Sequence, residues 1–253
     1  MRRGMVIGVT AAVLVAGCSS GSKKSDPPAS SAMTPTGSAS VLAVNSGGLL
    51  AGTARPSFPA GTPGKVDVVA AGTVVDDPAG AYVPIAIRNN QASPVGQIDI
   101  TAAVHDSGGK QIVTGKSQQI DPQTLAPGEI GLSFVHFEAG TAAPPADARY
   151  TYTVQSQTPS ATVDGRATLK VTAANLVRGA VTGAATNQTG TTLSGPYTVN
   201  VYCFDATGRP LAVQAGFASP DGDLATSRSV RYGVNLAGHA CPTFLVGVTA
   251  FYA

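Results

Sequence analysis

Ile100-Thr101-Ala102-Ala103-Val104-His105-Asp106-Ser107-Gly108-Gly109-Lys110 recurs in outline as Val199-Asn200-Val201-Tyr202-Cys203-Phe204-Asp205-Ala206-Thr207-Gly208-Arg209. Each copy is an apolar alternating run, then Asp, small or polar residues, Gly and a basic residue. The period of two is that of a strand with one face turned to a core. Gly supplies the positive φ that a hairpin turn needs, and the Asp carboxylate accepts hydrogen bonds from the amides of the turn. Upstream, Ile87-Arg88-Asn89-Asn90 matches Ala185-Thr186-Asn187-Gln188. Downstream, Pro127-Gly128-Glu129 is aligned with Asp221-Gly222-Asp223. The period is close to 99 residues, about one β-sandwich domain.

Other segments carry the same alternation. Ile98 and Ile100 flank Asp99; Tyr150, Tyr152 and Val154 flank Thr151 and Thr153; Leu169 and Val171 flank Lys170; Phe244, Val246 and Val248 repeat the period. No stretch offers a long apolar stripe at helical spacing with caps. The expected fold class is all-β: two tandem β-sandwich domains, at 65–160 and 161–253.

The halves resemble the bacterial FxLYD-type domain, an immunoglobulin-like β-sandwich of exported proteins. The resemblance rests on the Asn-rich turn, the long strand running into Val201-Tyr202-Cys203-Phe204-Asp205 or Val104-His105-Asp106, and the Gly turn that follows. It covers roughly residues 65–253. It implies an immunoglobulin-like fold and an extracytoplasmic location, and brings no catalytic residues.

The N-terminus explains how such domains would leave the cytoplasm. Met1-Arg2-Arg3-Gly4 is basic, and an apolar run follows from Met5 to Ala16. This is the form of a secretory signal, and about 12 apolar residues fall short of the roughly 20 that span a bilayer. The run ends Leu14-Val15-Ala16-Gly17-Cys18, which resembles the bacterial lipobox. That resemblance implies removal of residues 1–17 and acylation of Cys18 by a diacylglycerol with palmitate-class chains. Two chains make a stable anchor where one holds only marginally. The expected location is the extracytoplasmic face of the cell membrane. From 18 to 64 the chain is rich in Ser, Gly, Thr, Ala and Pro, and reads as a flexible tether of roughly 35–40 Å. Val41-Leu42-Ala43-Val44 interrupts it; an edge strand is open to it, on the folded part or on a partner, but a passing apolar run is the reading preferred.

Loss of Arg2 and Arg3 takes the basic count from 16 to 14, against 14 acidic residues. A near-neutral chain lacks the basic excess of a nucleic-acid binder. Abundant Ala, Gly, Thr and Val with little Lys is the bias of a GC-rich genome, and points to an actinobacterium. With Cys18 acylated, Cys203 and Cys241 remain in an oxidising compartment, where a disulfide persists. Such a bridge would close a loop of about 38 residues and contribute roughly 4 kcal/mol. Two cysteines alone are too few for zinc.

Several strings imitate catalytic motifs. Gly17-Cys18-Ser19-Ser20-Gly21 spells Gly-x-Ser-x-Gly, but lies across the processing site and lacks the strand and helix of a nucleophile elbow. Gly115-Lys116-Ser117 has Lys110 where a phosphate loop needs its first Gly. His105, His136 and His239 have no ligand-spaced neighbours. Asp76-Asp77, Asp221-Gly222-Asp223 and the sequon Asn187-Gln188-Thr189 read as turns, and Arg228 and Arg231 as a solvated face. No catalytic residue, cofactor or metal site is expected. The function expected is a non-enzymatic binding module of the cell envelope, with an envelope protein or polymer as partner. A carrier or sensor of an apolar ligand is the alternative. An envelope hydrolase ranks last, because no nucleophile, base and orienter can be named together.

Overall fold

The computed structural model describes residues 42–45, 47–138, 140, 143–160 and 165–253. Among them there is no helix, and fourteen strands form two sheets packed together. The first half supplies β3 (Val66–Ala71), β4 (Tyr82–Asn89), β5 (Gly96–His105), β6 (Gln111–Ser117), β7 (Ile130–His136) and β8 (Arg149–Gln157). The second supplies β9 (Arg166–Val177), β10 (Ala180–Thr186), β11 (Leu193–Phe204), β12 (Pro210–Ser219), β13 (Ser229–Asn235) and β14 (Thr243–Tyr252). The orders are β3-β4-β7-β6-β5-β8 and β9-β10-β13-β12-β11-β14, the same topology twice.

The repeated turns hold the duplication at atomic level. Asp106 Oδ1 accepts from Lys110 N (2.9 Å), and Asp205 Oδ1 from Arg209 N (2.9 Å). Gly109 and Gly208 take φ of 83° and 84°, the left-handed region that a side chain disfavours. Asn89 and Asn187 are both fully buried. Asn89 Nδ2 donates to Ser93 O and Leu125 O, and Asn187 Nδ2 to Thr191 O and Leu224 O. The downstream alignment is corrected. Gly128 N bonds Asn89 O, and it is Ser227 N that bonds Asn187 O. Thr226-Ser227-Arg228, not Asp221-Gly222-Asp223, is therefore the counterpart of Pro127-Gly128-Glu129.

Each half has its own core, with Ile85, Ile87, Ile100 and Phe137 in the first, and Leu169, Val199, Val201 and Phe244 in the second. Alternation alone would leave the opposite faces wet. Instead β4, β11 and β14 are buried on both faces along most of their length. Tyr82, Ala86, Leu132, Tyr202, Phe204, Val213 and Leu245 form a third core between the halves. At its edge lies Asp121, wholly buried. Its carboxylate accepts from Asn200 Nδ2 (2.7 Å), Tyr202 Oη (2.8 Å), Thr249 Oγ1 (2.8 Å) and Gln119 Nε2 (3.1 Å). Gly247 faces it because a Cβ there would come within 2.4 Å of Asp121 Cβ.

The expectation of a tether reaching Gly64 is corrected at its C-terminal end. Leu42–Ala43 is strand β1 and Leu50–Gly52 is strand β2. β1 pairs with β2, and β2 with β14, so the preferred reading of this run as a passing apolar stretch is corrected as well: Leu42–Ala43 is an edge strand. Leu50 and Ala54 are buried in the core between the halves, where Phe58 packs 6.3 Å from Phe204. The Arg88 guanidinium ties down the following backbone through Phe58 O and Pro59 O. Averaged composition hid these few apolar residues.

Candidate functional site

The two copies of the fold differ in how the outer edge of the last strand is met. In the second half the sheet closes on itself, because β14 pairs with β9 through Val248↔Leu169, Thr249↔Thr168, Ala250↔Ala167 and Phe251↔Arg166. In the first half the counterparts β8 and β3 approach each other but form no ladder.

The reason is local. Arg88 pairs with Asp67 as Thr186 pairs with Lys170, so Val66 stands where Leu169 stands. The closing segment 166–169 therefore corresponds to 63–66. There Pro63 has no N–H to give a ladder, and Gly64 sits at φ 75° in a turn where Lys65 N bonds Thr62 O. A turn occupies the position of a strand.

The other wall of the seam follows from the same equivalence. Val104 pairs with Tyr150, Ala102 with Tyr152 and Ile100 with Val154. Their counterparts pair Cys203 with Phe244, Val201 with Val246 and Val199 with Val248. Tyr150, Tyr152 and Val154 thus replace three core residues that are 0–1 % exposed in the closed half. In the open half they are only partly buried. The two tyrosine rings stack 6.2 Å apart at 10°. With Asp67, Val68 and Val69 opposite, they line a cleft of about 500 Å³.

Hydrogen bonding is unfinished here. Four buried side-chain polar atoms among the described residues lack a partner, and three lie along this seam: Tyr150 Oη, Tyr152 Oη and Asn90 Nδ2. Asn90 Nδ2 packs against Gly61 in the cleft wall, so closely that a Cβ there would approach to 2.6 Å. A buried donor without an acceptor costs about 1–3 kcal/mol. Burial raises the Tyr150 hydroxyl above its ordinary pKa. Burial first, and then the neighbouring Tyr150, pushes Tyr152 up to about 12. Both stay neutral donors through the physiological range.

The edge itself is bare. Thr53 N and Ala54 N donate to Phe244 O, so the backbone groups of Phe244 point out of β14 toward β2. By equivalence those of Tyr150, Tyr152 and Val154 point out of β8 into the seam. On the inner side, Ile100 N turns to Ser117 Oγ on β6, in keeping with this register. Arg149-Tyr-Thr-Tyr-Thr-Val-Gln-Ser-Gln157 carries one charge and no proline, whereas natural edge strands are usually protected by charges, prolines or bulges.

Of the residues singled out by sequence, Cys18 and the Gly17-Cys18-Ser19-Ser20-Gly21 string lie outside the described residues. Cys203 and Cys241 are joined in a disulfide with their Cα atoms 4.8 Å apart. The histidines do not converge: His105 Nδ1 lies 3.3 Å from Gly109 O, His136 Nε2 3.1 Å from Ala79 O, and His239 N bonds Leu236 O. Asp77 Oδ1 accepts from Ala79 N within a turn. Arg228 and Arg231 are exposed beside and on β13. Among the described residues no three His, Cys, Asp or Glu side chains gather as metal ligands. Asn187, the sequon residue, is committed to two backbone carbonyls. The seam was missed because Tyr150-Thr151-Tyr152-Thr153-Val154 announces a strand but not whether its outer edge has a neighbour. Pro63-Gly64 opposite 166–169 was the available signal.

No family model matches the chain, and no curated protein matches its sequence.

Proposed function

We propose that the chain is a lipid-anchored, extracytoplasmic binding module of the cell envelope with no catalytic role. In this reading it consists of two FxLYD-like, immunoglobulin-like units, held by Cys18 through the Ser-, Gly- and Pro-rich stretch before β1. The observation that carries it is the seam: a duplicated fold closed in one copy and open in the other presents an unpaired edge and a lined cleft. The Cys203–Cys241 disulfide agrees with an oxidising compartment. The lipobox and the near-neutral mature charge favour lipid, not a basic patch, as the membrane attachment. Capture of an envelope protein or polymer is the function this arrangement suits.

The alternative, carriage of an apolar ligand, draws on a groove of about 360 Å³ between the halves, lined by Tyr82, Phe134, His136 and Val213. Its volume is within the range of small-molecule sites, and native mass spectrometry of protein taken from membranes would reveal a retained lipid. For the leading reading, wild-type protein is expected in the detergent phase of a phase separation and Cys18→Ser in the aqueous phase. Crosslinking on intact cells is expected to join the wild type to one reproducible envelope component. A Cys18→Ser protein that still partitions into detergent would remove the anchor, and crosslinking that returns no component would remove the module.

A further inference from the structure

We propose that the outer edge of β8 docks an extended segment of a partner protein, rich in small uncharged residues, which adds to the first sheet as a strand antiparallel to β8. This deepens the reading of the chain as a binding module and rests on it.

The fold itself shows what this edge position accepts. In the second half the equivalent edge of β14 is taken by β2, whose Gly52, Ala51 and Leu50 pair antiparallel with Leu245, Val246 and Gly247. Since Tyr152 stands where Val246 stands, a segment added to β8 in that register would centre opposite Tyr152. The Tyr150, Tyr152 and Val154 N–H and C=O groups that face the seam provide its ladder. Strand addition to a free edge gains affinity from such main-chain bonds and specificity from pockets for alternate side chains.

The chemistry of the occupant follows from the same precedent. Ala51 is buried in the core beside Val246, and at Gly52 a Cβ would come within 2.3 Å of Phe244 O. Opposite Leu245 and Val246 the precedent places only Gly and Ala, while Leu50, opposite Gly247, turns into the core between the halves. On β8 the tyrosine rings already fill the floor of the cleft, so the entering side chains must again be small. A second copy presenting its own β8 would bring Tyr150, Tyr152 and Val154 to the seam, which is too much bulk. β8 carries no charge beyond Arg149, and the Asp67 carboxylate in the opposite wall already accepts from Thr62 N, which matches an uncharged ligand.

The probe is a synthetic peptide of the β2 sequence, Gly48-Leu49-Leu50-Ala51-Gly52-Thr53-Ala54, added in excess to the full mature chain and read by amide hydrogen exchange. In the free protein the amides of Tyr150, Tyr152 and Val154 are expected to exchange about ten-fold or more faster than those of Thr151 and Thr153. Peptide should slow them, and the same peptide carrying Ala51→Glu should not. Val154→Pro removes an N–H that faces the seam and none that pairs with β5, so it should weaken peptide binding about ten-fold or more with the thermal midpoint little changed. Seam amides already as slow as Thr151 and Thr153 in the free wild type would overturn the proposal without reference to any variant. So would peptide protection confined to other strands, or concentration-dependent dimers that protect β8 without peptide. A cellular crosslink mapping to the Tyr82–Phe134 groove instead of β8 would discard this site and leave the binding-module reading standing.

Discussion

Asp121 is a buried carboxylate whose four hydrogen-bond donors are all uncharged. Three of them, on Asn200, Tyr202 and Thr249, come from the other half of the chain. Burial, reinforced by this carboxylate, holds the Tyr202 hydroxyl well above its usual pKa, so it remains a donor at any ordinary pH. A charge taken out of water is tolerable only when its hydrogen bonds are met, and here the second half meets them. Asp121→Ala would leave three buried donors facing a void. A loss of about 3–5 kcal/mol is expected, measured as a shift of the urea midpoint. Tyr202→Phe should cost less, about 1.5–3 kcal/mol, because the other donors keep the carboxylate solvated. Equal costs would mean that Tyr202 alone, and not the group, supports the carboxylate. Nothing in the string Ile120-Asp121-Pro122 announces this role. A lone Asp before Pro reads as a turn until the strands of the other half are set against it.

Elements were legible where local chemistry decides them. The alternation at Ile98–Ala102, Tyr150–Val154 and Leu169–Val171 does mark β5, β8 and β9, and the Asp-to-Gly turns fall where the repeat puts them. What was not legible depends on a second element. β14 alternates in sequence, yet Leu245, Val246, Val248 and Thr249 are all nearly inaccessible, because the other half covers the face that alternation would leave in water. The open edge of β8 likewise depends on a proline far away in the chain. The disulfide sits between these cases: Cys203 occupies the core position of Val104, and its partner Cys241 lies just before β14. Because the β11–β14 ladder already pairs Cys203 with Phe244, the bridge adds to an association the sheet maintains. Replacing both cysteines by Ala should lower stability by about 2–4 kcal/mol, with the far-ultraviolet circular dichroism of the folded state unchanged. Loss of that spectrum would show that the bridge, and not the ladder, determines the second sheet.

At the scale of the whole molecule, the two halves are bound more tightly than beads on a string. The shared core contains Leu132 from β7, Tyr202 and Phe204 from β11 and Leu245 from β14, and the N-terminal run seals it with Leu50 and Ala54. Tyr82 Oη reaches Val213 O across the boundary at 3.0 Å. Separating the halves would expose these residues and strand the donors around Asp121, a penalty borne by either half folded alone. Inter-domain contacts that are small and polar permit independent motion, whereas large apolar ones suppress it. One cooperative unfolding transition is therefore expected. The chain has no tryptophan, so tyrosine emission provides the probe of tertiary structure and circular dichroism that of the strands. In urea the two curves should superimpose. Leu132→Ala, which cuts into the shared core at a cost of about 2–5 kcal/mol, should shift both together. Curves that part in the wild type would mean the halves unfold separately. The seam of the first half would then open by loosening its own sheet, without any help from the second. Coincident curves would mean that the closed half and the shared core hold the open one in shape, keeping an unpaired edge available without letting the sheet that carries it fall apart.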